Sequence, residues 1–341
     1  MASAQSTVES GCCRIRYLLL IEYVGTAFHG SQRQPGKRTV QELVEDAAAK
    51  LTPHSVPPTV VFAGRTDAGV HSIANAAHVD LERLDKHGNR LPAFSEGELM
   101  NALNNFVGER CGIVSARRVH KGFHARHSAR VRTYVYQIRC PKSPREARAQ
   151  ALLRVDCCGS LMRRGWVSAH DAHRSLWLAE PLDLNAMRDA AALLVGKHDF
   201  SAFRAVRCGA KSPVRDLLEL AVVEDSPSTL AEFDLECTRR VALRLRARSF
   251  LHHQVRYIAA TLVEVGLGKR SLQQVRDMLR SADSRQSPPP APAHGLYMAH
   301  VEYPESAYLE NVDPDTGMIS AVGAPEIGGE DSDEYECVTG A

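Results

Sequence analysis

The segment from Arg240 to Phe250, R-V-A-L-R-L-R-A-R-S-F, constrains the fold of this chain more than any other. Its side chains alternate with a period of two: Val241, Leu243, Leu245 and Ala247 fall on one side, Arg244, Arg246 and Arg248 on the other. A helix, with its period of 3.6, would scatter those arginines around its circumference, so the segment is a strand and the chain must build a sheet. Ala129 to Cys140 is a second such strand, with Val131, Thr133, Val135 and Gln137 opposed to Arg130, Arg132, Tyr134 and Tyr136. From Arg14 the run R-I-R-Y-L-L-L-I-E-Y reads as a largely buried strand with Ile15, Tyr17, Leu19 and Ile21 on one face. Further extended runs lie at Val60 to Phe62, Ala74 to Leu81, Ile113 to Val119, Val214 to Val223 and Leu296 to Tyr303.

Helical spacing appears between these strands. T-V-Q-E at Thr39 predicts a capping box, followed by Val40, Leu43, Val44, Ala47, Ala48 and Leu51 along one face. S-E-G-E at Ser95 predicts a second box and a helix through Phe106. Asp183 caps a helix carrying Leu184, Met187, Ala191 and Leu194 and closed by Gly196. A helix from about His253 buries Val255, Ile258, Ala259, Leu262 and Val265 and stops at Gly266, and Ser271 caps a short one. The resulting order is α+β. Two successive groups of elements divide near residue 120, giving expected domains at 14–119 and 120–303. The stretch 141–176 lacks periodicity and reads as an insertion, and residues 1–13 read as a flexible terminus.

Composition matters where it is uneven. The formal charge of the 341 residues is only +2, from forty-two Lys and Arg against forty Asp and Glu. Residues 304–341, however, hold ten acidic residues and no Lys or Arg, which reads as a disordered acidic tail. The remaining body therefore balances at +12, which suits a phosphate-backbone partner. The nine cysteines form no C-x-x-C pair, which points to free thiols in a reducing compartment. No apolar run reaches the roughly eighteen residues that span a bilayer, and the first thirteen residues lack a signal-peptide core. The expectation is an intracellular protein, cytoplasmic or mitochondrial, with no membrane partner.

The segment most able to carry chemistry is A-G-R-T-D-A-G-V-H-S, Ala63 to Ser72. A strand ends there in a loop whose glycines, Gly64 and Gly69, flank a charged pair, Arg65 and Asp67. On composition alone such a pair is a surface ion pair in a hairpin turn. The segment, however, resembles the signature loop of the TruA-type tRNA pseudouridine synthases. Y-V-G-T-A-F-H-G-S-Q-R-Q, F-H-A-R-H-S-A from Phe123, R-T-Y-V-Y from Arg132, H-D-F-S-A-F from His198, S-P-V-R at Ser212, F-L-H-H-Q-V-R from Phe250 and A-P-A-H-G-L-Y from Ala291 follow in that family's order. The match spans about residues 14–303 and looks most like the eukaryotic members.

The resemblance implies two related α+β domains forming a central, mostly antiparallel sheet with a catalytic cleft between them. It implies an isomerase that converts uridine to pseudouridine in RNA, with tRNA as the partner, no cofactor or metal, and a monomer or homodimer as the working unit. Carried over residue by residue, Asp67 matches the catalytic aspartate, the expected nucleophile, which would attack the ribose or the uracil, or deprotonate the sugar. Tyr134 matches the tyrosine that packs on the target base, and its hydroxyl would assist proton removal. Arg256 matches the arginine that pairs with the aspartate and keeps it anionic, and Arg65 the arginine associated with flipping the base. The sequence departs from the family at Ser31, where a tryptophan is usual, at Ala260, where a glycine is usual, and in the length of 141–176. The rival reading is a non-catalytic RNA-binding or RNA-chaperone protein that keeps the fold.

The histidine pairs His124 with His127 and His252 with His253 read as packing or RNA contacts, because neither has a Cys or carboxylate at ligand spacing nearby in sequence. Phe123, Phe200 and Phe203 read as core. Arg244, Arg246 and Arg248 read equally well as a phosphate track and as a solvated basic face.

Overall fold

The computed structural model describes residues 14–147, 171–224 and 238–308. Residues 1–13, expected as a terminus, residues 148–170 of the expected insertion and residues 309–341 of the acidic tail lie outside the described residues. The strands are β1 (Ile15–Tyr23), β2 (Val60–Phe62), β3 (His71–Leu81), β4 (Cys111–Val119), β5 (Val131–Pro141), β6 (Leu176–Trp177), β7 (Gly196–Asp199), β8 (Val214–Glu224), β9 (Thr238–Ala247) and β10 (Leu296–Glu302). The helices that pack on them are α1 (Val40–Leu51), α2 (Glu96–Val107), α3 (Leu184–Leu194), α4 (Gln254–Gly266) and α5 (Leu272–Ser281). No helix among the described residues is long and apolar enough to cross a membrane.

All ten strands join one sheet in the order β4-β1-β3-β10-β5-β9-β8-β7, with β2 on β3 and β6 on β5. Neighbours are antiparallel except β5 with β6 and β3 with β10. The chain thus forms an α+β fold around a mostly antiparallel sheet. β10 stitches it together: antiparallel to β5 on one side, it meets β3 through only Tyr297 opposite His71 and Met298 opposite Ser72.

Two apolar clusters cover the sheet. One joins Tyr17, Leu19 and Ile21 of β1 and Val79 of β3 to Val44 of α1 and Leu103 of α2. The other joins Tyr136 and Ile138 of β5 and Leu243 and Leu245 of β9 to Met187 of α3, Ile258 of α4 and Met278 of α5. Phe123, Phe200 and Phe203 are fully buried in this second cluster.

β5 shows how a neighbour decides a strand's face. By hydropathy its Val131, Thr133 and Val135 side looks like the core side, yet those residues are half-buried while Arg132, Tyr134, Tyr136 and Ile138 are buried. In the ladder with β9, Arg132 stands opposite Ala247, Tyr134 opposite Leu245 and Tyr136 opposite Leu243. Cross-strand partners share a face, so the aliphatic stripe of β9 takes the tyrosine stripe of β5 into the core. On the opposite face Arg246 is ion-paired with Glu219 at 3.3 Å and Glu302 at 2.7 Å, which leaves Arg244 and Arg248 as its exposed cations.

The helix starts follow the cap chemistry with one exception. Ser95 and Glu98 form the full capping box, and Asp183 accepts from the amides of Asn185 and Ala186. Thr39 accepts from the amide of Glu42, but the carboxylate of Glu42 lies 3.6 Å from Arg33 and the box is only half made. An ion pair within reach competes with the return hydrogen bond to the cap. Gly196, expected as the stop of α3, instead opens the edge strand β7 with φ +100°, after a helix that ends at Leu194.

At Gly266 the end of α4 meets the start of α3 at backbone distance: its carbonyl accepts from the amide of Asp183, and a Cβ there would lie 2.7 Å from Met187 Sδ and 2.9 Å from Leu182 Cδ2. Gly266→Ala is therefore expected to destabilise the protein by about 1–3 kcal/mol through overpacking, read from the midpoint of urea unfolding.

Candidate active site

The loop Ala63–Val70 links β2 to β3 and leads into His71, the first of the two β3 residues that pair with β10. It therefore sits at the seam of the two half-sheets. A turn fixes its tip: the amide of Val70 donates to the carbonyl of Asp67 at 3.1 Å, with Gly69 at φ +83°, a conformation that favours glycine. The backbone of Gly25 packs directly beneath, where a Cβ would come within 1.9 Å of the Val70 carbonyl oxygen.

The groups around Arg65 and Thr66 are tied from four directions. Thr66 Oγ1 is bonded to the Tyr23 hydroxyl at 2.8 Å, and Asn75 donates to both Tyr23 Oη and the Gly64 carbonyl, each at 3.1 Å. Burial pushes the Tyr23 hydroxyl up to about 12, so it stays a neutral phenol. The Thr66 amide donates to Ser31 Oγ at 2.9 Å, and the Ser31 amide returns a bond to the Thr66 carbonyl at 3.1 Å. Ser31, where a tryptophan is usual in the family, is fully buried and braces the residue next to Asp67.

The fourth tie comes from the other half-sheet. Arg132 on β5 donates to the Ala63 carbonyl through Nε at 3.1 Å and Nη2 at 2.8 Å, to the Arg126 carbonyl at 2.7 Å, and to the Arg248 carbonyl. One buried guanidinium thus fastens the start of the loop, the F-H-A-R-H segment and the end of β9 to one another. The planar fork with five donors makes this possible. In the sequence the one signal of Arg132 is its phase, two residues before Tyr134 on the face that β9 buries.

Asp67 projects from this braced loop toward the segment that leads into α4. His252 Nε2 lies 3.4 Å from Asp67 Oδ1, His253 Nε2 3.2 Å from Oδ2, and Arg256 Nη1 3.5 Å from Oδ2. Arg256 is itself aimed by its Nε, which donates to the Ala291 carbonyl at 2.7 Å, while the Ala291 amide donates to the Arg256 carbonyl. His253 adopts the left-handed conformation, φ 63° and ψ 5°, at the cap of α4. That backbone turns two consecutive side chains to one side, with their rings 4.0 Å apart, where an extended or helical backbone would spread them. The sequence showed no carboxylate near this histidine pair; the fold supplies Asp67 from the other half of the sheet.

The electrostatics of Asp67 are a contest. Burial pushes its carboxyl up, and the hydrogen bonds and charges of His252 and His253 outweigh burial and hold it well below the usual carboxylate range. The histidines, expected from the sequence as packing or RNA contacts, are closer to the carboxylate than Arg256.

Tyr134 is buried, its ring set edge-on to Phe250 at 5.1 Å, and its hydroxyl lies 3.5 Å from where a Cβ on Gly64 would be. Burial drives its hydroxyl far above the ordinary phenol range, against the pull of Arg132. It remains protonated at neutral pH, so the assistance expected from it in proton removal cannot come from a phenolate. Arg65 is exposed and makes no ion pair among the described residues. His78 and His124, pushed down to about 4 by burial, are neutral acceptors for the amides of Ala125 and of Arg126 and His127.

Two measurements test this geometry. In a pH titration followed by the 13C shift of the carboxyl, Asp67 should stay ionised well below its ordinary value of 3.8, and the double variant His252→Gln with His253→Gln should move that titration upward, toward what burial sets. Because the folded carboxyl is depressed, the stability it lends is full above the unfolded value and fades as the pH falls through the folded one. Arg132→Lys, which keeps the charge but cannot span three carbonyls, should leave Asp67 less well placed. We expect it to cost about 2–4 kcal/mol by leaving buried carbonyls unpaired, seen as a lower thermal midpoint.

The family model for tRNA pseudouridine synthase matches residues 19–105 and 190–304 of this chain. A protein of Roseobacter denitrificans named tRNA pseudouridine synthase A is 38% identical over 289 residues, covering 84% of this chain and 95% of the relative. A protein of the same name from Thermus thermophilus is 39% identical over 291 residues, covering 85% and 97%. Asp67, Arg256, His252 and His253 all lie within the matched segments, whereas Arg132 and Tyr134 fall in the interval between them.

Proposed function

Since the chain belongs to the tRNA pseudouridine synthase family, and so isomerises uridine to pseudouridine in tRNA, we propose that Asp67 is its catalytic nucleophile, acting under the charges of His252, His253 and Arg256. The reaction breaks the N1-glycosidic bond, turns the uracil while it is held, and joins C5 to the sugar. N1 gains a proton and C5 gives one up, so no redox equivalent is consumed. Asp67, held ionised, has a lone pair for the ribose or the uracil at neutral pH.

The observation that carries this reading is a partly buried carboxylate at the seam of a basic body with two imidazoles and a guanidinium within 3.5 Å. Keeping such a charge away from water is costly, and a protein that only binds RNA has no use for one fixed by three donors. Tyr134 supplies the face on which the extruded uracil stacks, and stacking of this kind is worth about 1–3 kcal/mol. Arg65, exposed one residue before Thr66, fills the gap that the uridine leaves. The excess of basic side chains in the body attracts the phosphate backbone. Working on tRNA places the enzyme inside the cell, in the cytoplasm or a mitochondrion.

Asp67→Asn, which keeps shape and removes charge, should abolish pseudouridine formation on tRNA while leaving tRNA affinity within severalfold, measured by pseudouridine mapping and filter binding. Normal turnover by this variant overturns the assignment of the nucleophile; a wild-type protein inert on every cellular RNA supports the RNA-chaperone rival. Tyr134→Phe keeps the ring and should retain most activity, whereas Tyr134→Ala should lose about 10–100-fold, the equivalent of one stacked base.

A further inference from the structure

We propose that Asp67, His252 and His253 form a binding site for a divalent transition-metal ion, and that an ion bound there inhibits the enzyme. Three ligand atoms, one from each residue, lie within 4.8 Å of one another. In a tetrahedral site with metal–ligand distances of about 2.0–2.1 Å, adjacent ligands stand about 3.3 Å apart. The two closest carboxylate–imidazole separations, His252 Nε2 to Oδ1 at 3.4 Å and His253 Nε2 to Oδ2 at 3.2 Å, have this spacing, each to its own oxygen. For one ion to take all three ligands, the carboxylate and the two rings, 4.0 Å apart, draw in from the 4.8 Å within which the three ligand atoms lie.

Two imidazoles and one carboxylate are the ligand set of borderline divalent ions such as Zn2+, Co2+ and Ni2+, and not of Mg2+, which prefers oxygen ligands. To bind the ion, each imidazole gives up to solvent the proton it shares with Asp67 at Nε2 and offers that lone pair, keeping its Nδ1 proton, so binding releases protons. The exposure favours entry: the side chain of His252 is 47% exposed and that of His253 24%. The guanidinium of Arg256, 3.5 Å from Oδ2, opposes a second positive charge and weakens the site without blocking it. The left-handed backbone at His253 aims both rings at one carboxylate before any ion arrives.

The ion inhibits by occupying the carboxylate. An oxygen that gives its lone pair to a metal no longer attacks the sugar or base, and the bound ion fills the space beside it. The inhibition rests on the reading of Asp67 as the nucleophile; the metal site does not.

The test uses the full chain and Co2+ as probe, with binding followed by calorimetry and visible absorption and turnover measured in the same samples. The expected result is one Co2+ per chain at this site, an affinity at least tenfold lower in Asp67→Asn and in His252→Gln with His253→Gln, loss of turnover in step with occupancy, and recovery with EDTA. Saturating tRNA should also weaken Co2+ binding to the wild-type protein, a measurement that does not depend on how the variants fold. Unchanged Co2+ affinity in both variants, or in the presence of tRNA, overturns the metal site and leaves the role of Asp67 intact. Co2+ bound at the three residues with turnover unaffected establishes the site and overturns the reading of Asp67 as the nucleophile.

Discussion

Two residues of parallel pairing, Tyr297 with His71 and Met298 with Ser72, hold the two halves of the sheet together, and the site depends on that short seam. Everything on the β3 side reaches Asp67 through the loop that ends at His71. Everything on the β5 side reaches it through β10, β9 and the start of α4. Ala291, just before β10, locks onto the backbone and side chain of Arg256, so the strand that closes the sheet also aims the cation. Arg132 adds a second bridge at the same level, from β5 to Ala63. A carboxylate from one half thereby meets its donors from the other with no need for either half to be rigid throughout.

The seam also explains how the carboxylate stays charged. Burial alone would favour the neutral acid, and the loop's own neighbours, Tyr23, Thr66, Ser31 and Asn75, are neutral groups occupied in bracing the backbone. The countercharge therefore has to come from across the cleft. It arrives as two imidazoles and a guanidinium on one short segment, and the left-handed turn at His253 is the strained backbone conformation through which they converge. The same convergence gives the site its affinity for a transition-metal ion, since donors arranged for a carboxylate's two oxygens also surround a point between them.

Much of the architecture was readable from periodicity. The alternation of β9, the helical stripes of α1 and α2 and the caps at Ser95 and Asp183 follow from local rules and appear where those rules place them. The misses have physical causes. β6 and β7 are two and four residues long, too short to show a period, and exist because a neighbouring strand offers free backbone groups. The box at Thr39 is half made because Arg33 competes for Glu42. Ser31, a departure from the family pattern, acts as a brace, because its hydroxyl reaches a backbone amide thirty-five residues away in sequence.

By itself the sequence determined the α+β class, the motif loop that carries Asp67 and the family whose ordered segments the chain shares, because these are written in local spacing and residue identity. The tertiary structure decided which face of β5 is core, that Arg132 staples three segments, and that His252 and His253 rather than Arg256 stand closest to the carboxylate. Such facts depend on register and on contacts between segments distant in sequence, and one residue of slip in the β5–β9 ladder would have reversed the first of them. The sequence names the groups that do chemistry; the pairing of strands sets the distances at which they do it.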